Sequence, residues 1–207
     1  MPLASSMELV SASGREPEGF CAELFDHWRE LSDQSPAADG IPVRHQIDML
    51  TLPVRVLPWF FLHECVGHRY RSLIASTRVA ESLGFEPKGR FIDELMPPEI
   101  YASRRDMFDV CLRNSRSVFY RGAFSKPMDR YIGYCRLLLP LHREPAGPVD
   151  MLCGLMMFFE KGDLNARDRR WIENGFSGLF DCLMFDSGNW RDWRPDPTEQ
   201  PSDQPAA

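Results

Sequence analysis

Trp59-Phe60-Phe61-Leu62-His63-Glu64-Cys65-Val66-Gly67-His68-Arg69-Tyr70-Arg71-Ser72-Leu73-Ile74-Ala75-Ser76 decides the fold. Two runs, Trp59–Cys65 and His68–Ser76, are rich in aromatic and apolar residues, and Val66-Gly67 between them supplies a glycine turn. They read as an antiparallel hairpin. Upstream, Ile41 to Pro58 is short-helical and punctuated by Pro42, Pro53 and Pro58, each of which limits a helix. Downstream, Thr77 to Leu83 reads as a short helix that Gly84 ends. A loop through Pro87 and Gly89 then leads to one helical turn at Phe91–Leu95, before Pro97-Pro98.

Glu99 to Asn114 carries Ile100, Met107, Val110 and Cys111 on one helical face. Three β-like runs follow, Val118–Phe124, Tyr131–Leu141 and Met151–Phe159, separated by segments containing Pro127 and by Pro145, Gly147 and Pro148. Two strands, several short helices and three strands predict an α+β domain. Its expected form is a five-stranded antiparallel sheet with the short helices on one side.

Amphipathic helices are expected at both flanks. Phe20, Leu24, Trp28 and Leu31 recur at helical spacing, and Glu23, Asp26, Arg29 and Glu30 fill the opposite face. A final helix starts near Asn165, a good N-cap, with Ile172, Phe176, Leu179 and Leu183 as its stripe. The expected division is therefore a flexible leader over 1–17, a domain with its N-terminal flanking helix over 18–160, an amphipathic helix over 161–186, and a disordered, proline-rich and acidic tail over 187–207.

The chain has 207 residues, 43% hydrophobic and 12% aromatic, enough for a real core. A net charge of -6 argues against general affinity for nucleic acid, which needs a basic face. No apolar run approaches the roughly 20 residues of a membrane helix, and no secretion signal stands at the start. The six cysteines form no CxxC and no close pair, so reduced core thiols in a cytoplasmic protein are expected.

An ordered set of local residues resembles the PAS fold, and within it the small PAS-like proteins common in alphaproteobacteria. Asp48, Leu52-Pro53 and Leu57-Pro58 lead into Phe60-Phe61-Leu62, and Arg69-Tyr70-Arg71 follow in the second strand. Gly89-Arg90 then precedes Asp93-Glu94-Leu95, and Arg136 to Leu141 stands ahead of Gly154. The match runs over about residues 20 to 160. Ser76-Thr77 replaces the glycine-threonine step of that branch, and His63-Glu64 replaces a hydrophobic residue followed by Asp.

The resemblance implies a sensory or protein-interaction module that passes its state on through flanking-helix packing, not an enzyme. It implies a pocket between sheet and helices, whose candidate lining is Phe61, Tyr70, Phe85, Phe91 and Met107, with Phe119, Tyr134, Arg136, Met156 and Phe158. The same residues read equally well as plain core. Arg71 and Arg136 can hold an anionic ligand or pair with carboxylates such as Asp93 or Glu94. PAS domains commonly dimerise through their flanks, which makes Ile172, Phe176, Leu179 and Leu183 the candidate contact for a homodimer or protein partner.

The cofactor is unknown. Flavin is not expected, because the Asn-Cys-Arg motif of photosensory PAS domains is missing, nor is haem, because no histidine lies between residues 69 and 141. His63 and His68 are five apart, not the four of a helical zinc motif. A metal site at His63, Cys65 and His68 would need the hairpin to bring them together, and no metal is the simpler expectation. No nucleophile elbow, phosphate loop or dinucleotide fingerprint is present. A stand-alone PAS regulator is the leading expectation. A ligand-free interaction adaptor and a metal-binding sensor are the alternatives.

Overall fold

The computed structural model describes residues 19–126, 130–159 and 178–193. β1 (Phe60–Val66) and β2 (Arg69–Ala75) form the expected hairpin, with its turn at Gly67-His68, one residue later than the sequence suggested. Gly67 takes φ +65, which a two-residue hairpin demands and which only glycine adopts without cost. α2 (Thr77–Leu83) ends on Gly84, whose N–H donates to the Ala80 and Glu81 carbonyls. A 3-10 turn over Ile92–Glu94 precedes α3 (Pro98–Asn114). β3 (Val118–Lys126), β4 (Arg130–His142) and β5 (Val149–Phe159) complete the predicted set.

The strands lie in one sheet of order β2-β1-β5-β4-β3-β6-β7, and every neighbouring pair is antiparallel. This is the expected α+β arrangement of an antiparallel sheet with helices, enlarged from five strands to seven. The two additions overturn the C-terminal reading. β6 (Gly178–Asp186) occupies the end of the segment expected as helix over 161–186, and β7 (Asn189–Asp192) lies in the segment expected as disordered tail. Ser187 and Gly188 join them with φ 51 and 86, the paired left-handed geometry of a type I′ turn. Leu183 and Phe185 pack with one face of the sheet, and Cys182 and Met184 with the other. Both faces are covered, so Cys182–Phe185 is apolar throughout and its strand alternation is hidden. Leader residues 1–17, Ile172, Phe176 and the tail beyond 193 lie outside the described residues.

The N-terminal helix is present as expected. α1 (Phe20–Asp33) buries Cys21, Leu24, Phe25 and Trp28 against the sheet face opposite α2 and α3. Trp28 Nε1 donates to the Pro140 carbonyl at 3.1 Å, and Phe25 packs edge-on against Phe185 with ring centroids 4.8 Å apart. The stripe therefore covers the domain's own sheet. Among the described residues, no helix is long and apolar enough to cross a membrane.

One glycine positions the other face. A Cβ on Gly154 of β5 would stand 1.8 Å from the Leu137 carbonyl oxygen and 3.0 Å from Phe61 Cζ. No side chain fits there, and the Phe61 ring takes the space. The second core, between the sheet and α2 and α3, gathers Phe61, Tyr70, Val79, Phe108, Tyr120 and Met156.

Candidate functional site

A cavity of about 30 Å³ lies in that second core, closed by α2 and the segment following it. Its floor is Phe61, His63, Arg136 and Met156 on the sheet, with Phe108 from α3. Its cover is apolar and includes Val79, Leu83, Phe85, Ile92, Leu95 and Met96. The volume holds a few small atoms, on the order of two waters.

Four of the expected pocket residues line it: Phe61, Phe85, Arg136 and Met156. Tyr70, Met107, Tyr134 and Phe158 belong to the same core without lining the cavity. Phe91 lies at the rim, where it bridges to Arg71 and receives Arg69 over its ring at 3.8 Å. Phe119 is on the opposite face, in the core under α1, because strand alternation sends Val118 and Tyr120 toward the helices instead. His63 was not among the expected lining residues. It stands two residues from Phe61 on β1, so strand alternation turns it to the same inward face rather than leaving it at an exposed hairpin end.

The metal constellation does not assemble. His63 is buried, stacked on Phe61 at 4.6 Å, whereas His68 is exposed in the turn, and the Cys65 thiol contacts the Gly67 carbonyl. The dimer contact is also revised: Leu183 is fully buried beneath α1, and Leu179 lies on β6 opposite Gly122.

The charges divide into two groups. Glu64, 2% exposed, is matched by Arg71 and by Arg143, whose Nη1 lies 2.8 Å away. Burial works against its charged form, yet hydrogen bonds from Arg143 and Arg71 outweigh that and hold its carboxyl below the usual range. Asp93 and Glu94, expected as partners for Arg71 or Arg136, go to Arg69 at 2.8 and 2.7 Å. Arg71 does take a carboxylate, but it is Glu64.

Arg136 differs. It is 3% exposed, and its Nη2 meets only the Met156 sulfur, while Nε and Nη1 have no hydrogen-bond partner among the described residues. Its guanidinium carbon stands 5.3 Å from the Phe108 ring centroid and 5.7 Å from that of Phe61. His63, 7% exposed, likewise leaves Nδ1 unpartnered. Burial, with the Arg136 charge beside it, holds the imidazole pKa down to about 3, so the ring is neutral. Arg104 of α3 lies over the Tyr134 ring at 5.2 Å, and burial together with Arg136 lowers its pKa. Tyr70 is different again: its hydroxyl donates to Asp109 Oδ1 at 2.6 Å, and burial followed by that bond raises its pKa.

An unmatched guanidinium in an apolar core costs several kcal/mol. The arrangement can repay that cost by accepting an anion or a strongly polar group. Nε and Nη1 of Arg136 and Nδ1 of His63, on two residues that line the cavity, are available for it.

No protein-family model matches this chain, and no curated protein matches it. Among solved structures, it is similar to the crystal structure of the Rhodobacter sphaeroides LOV protein, with a TM-score of 0.39 and 14% identity over 74% of this chain and 73% of that one. A substituted RsLOV structure gives a TM-score of 0.38 and 14% identity over 73% and 92%.

Proposed function

We propose that the protein is a PAS-type sensory module that binds a small molecule in the cavity between the sheet and the α2–α3 segment, and acts by binding rather than catalysis. The observation that carries this reading is Arg136: a buried cation that lines the cavity with no carboxylate partner among the described residues, whereas buried Glu64, elsewhere on the sheet, is matched by Arg71 and Arg143. β4 offers a route outward. Arg136 points to the cavity, while Cys135 and Leu137 on the same strand pack under α1, so a shift at one face of the strand is felt at the other. The readout would be a change in α1 packing presented to a protein partner or a second copy.

Native mass spectrometry of the full chain as purified tests the reading. A small stoichiometric adduct, lost in Arg136→Met, is the expected result. A bare mass for the wild type, together with no stabilisation of either protein by any small-molecule probe, would sink it. The small volume favours the second reading, a ligand-free adaptor with a filled core, and that outcome would select it.

A further inference from the structure

Taking the interior binding site as given, we infer that its ligand is a short aliphatic monocarboxylate, held by its carboxylate on Arg136 and His63 with its alkyl end under the α2 cover. Head and tail have separate grounds. The guanidinium presents planar N–H donors, and two of its nitrogens, Nε and Nη1, lack partners among the described residues. The edges of a guanidinium that match a carboxylate's two oxygens are Nε with Nη2 and Nη1 with Nη2; Nη2 directs one of its two hydrogens at the Met156 sulfur, and the other completes an open edge with Nε or Nη1. His63 Nδ1 lies at the same cavity and, as the neutral ring, completes the head-group site without adding a second charge.

The remaining walls exclude most other anions. Val79, Leu83, Ile92, Leu95 and Met96 offer no side-chain donor to a third or fourth oxygen, so phosphate or sulfate would bury oxygens unsatisfied. A dicarboxylate would strand its second charge against leucine and isoleucine. One charge is supplied on the floor and one is wanted in return. The cavity's volume sets the length: about 30 Å³ takes the head group with little adjustment, and each added methylene must displace a cover side chain. Acetate and propionate fit this balance, and longer chains lose by it.

The test is calorimetric titration and ligand-induced thermal shift of the full chain with formate, acetate, propionate, butyrate and hexanoate, against propionamide and sulfate. Propionate is expected to bind about 30-fold more tightly than propionamide, the isosteric neutral control. Affinity should peak at two or three carbons and fall by hexanoate. Arg136→Met should abolish the propionate response while raising the melting temperature of the bare protein, because a buried unmatched cation is gone. Ala75→Leu, which fills the cavity from β2 and leaves Arg136 in place, should abolish binding as well, and circular dichroism reports that each variant is folded.

Equal binding of propionamide and propionate would overturn the carboxylate assignment while leaving an interior ligand site. So would an unrelated adduct on the purified protein with no response to any carboxylate. No response to any probe and a bare protein would overturn both this inference and the sensory reading beneath it. Propionate binding unchanged in Arg136→Met and Ala75→Leu would move the site elsewhere and overturn the inference outright.

Discussion

His63 shows how one imidazole can report on the whole interior. Its folded pKa of about 3 lies below the usual 6.5, so the folded protein binds no proton there while the unfolded chain does below about pH 6.5. Stability from this residue is thus complete above pH 6.5 and declines as pH falls toward 3, by up to about 1.4 kcal/mol per pH unit. Between pH 7 and 5 the loss should be about 2 kcal/mol, and His63→Phe should remove it. Urea denaturation of both proteins at the two pH values checks this; an unchanged slope in His63→Phe would show that other groups cause it. Glu64 acts in the same direction but at lower pH, because its carboxyl is held below its usual value and loses its matched pairing only as it protonates.

At this scale the sequence was readable in part. Arg136 stood among the candidate pocket residues with Phe61, Phe85 and Met156, against the competing reading that it pairs with Asp93 or Glu94. His63 could have been found by alternation, since it stands two residues from Phe61 on β1 and shares its face; a histidine beside the hairpin turn reads instead as an exposed end. Phe119 was assigned to the pocket because Val118-Phe119-Tyr120 is apolar on both sides. Nothing in such a triplet says which face meets the helices.

Among the elements, α2 and the 3-10 turn at Ile92–Glu94 form the cavity's cover, and a clasp holds them to β2. Ser72 N–H donates to the Arg90 carbonyl at 3.0 Å, and Gly89 N–H to the Ser72 carbonyl at 2.7 Å. Arg69 adds its fork to Asp93 and Glu94 and lies over Phe91. Arg69→Ala should leave the melting temperature nearly unchanged, since exposed ion pairs contribute little to global stability. It should raise hydrogen exchange at the Ser72 and Gly89 amides several-fold, because local opening is governed by local contacts. Uniform exchange across the sheet, with no preference for these amides, would contradict the clasp.

α2 and its Gly84 stop were legible to the residue, and α1 and α3 nearly so, because each has an apolar stripe on one side and polar residues on the other. The C-terminal hairpin was not. Leu179 and Leu183 stand four apart and fit a helix, yet the two-residue Ser187-Gly188 spacer before Trp190 was a hairpin signal.

At the level of the whole molecule, the sheet is enclosed on both faces, by α1 and the 43–59 segment on one and by α2 and α3 on the other. Leu183 belongs to this enclosure and not to an exposed contact. Leu183→Ala should therefore cost about 2 to 4 kcal/mol in denaturant unfolding and leave the mass measured by light scattering unchanged. A shift from dimer to monomer at unchanged stability would restore Leu183 to an interface. The five-stranded centre could be read from the order of strand and helix signals. The closed outer face could not, since an amphipathic helix fits its own sheet or a second copy equally well.

The Phe25, Phe185 and Trp190 cluster joins the first helix of the described fold to its last hairpin. During synthesis the ribosome releases α1 well before these partners, so Phe25 emerges long before Phe185 and Trp190 can cover it. Until that hairpin is made, the side of Phe25 that it covers has no aromatic partner from the last strands. Completion of the sheet is also the moment at which the face of α1 that carries Phe25 ceases to be sticky.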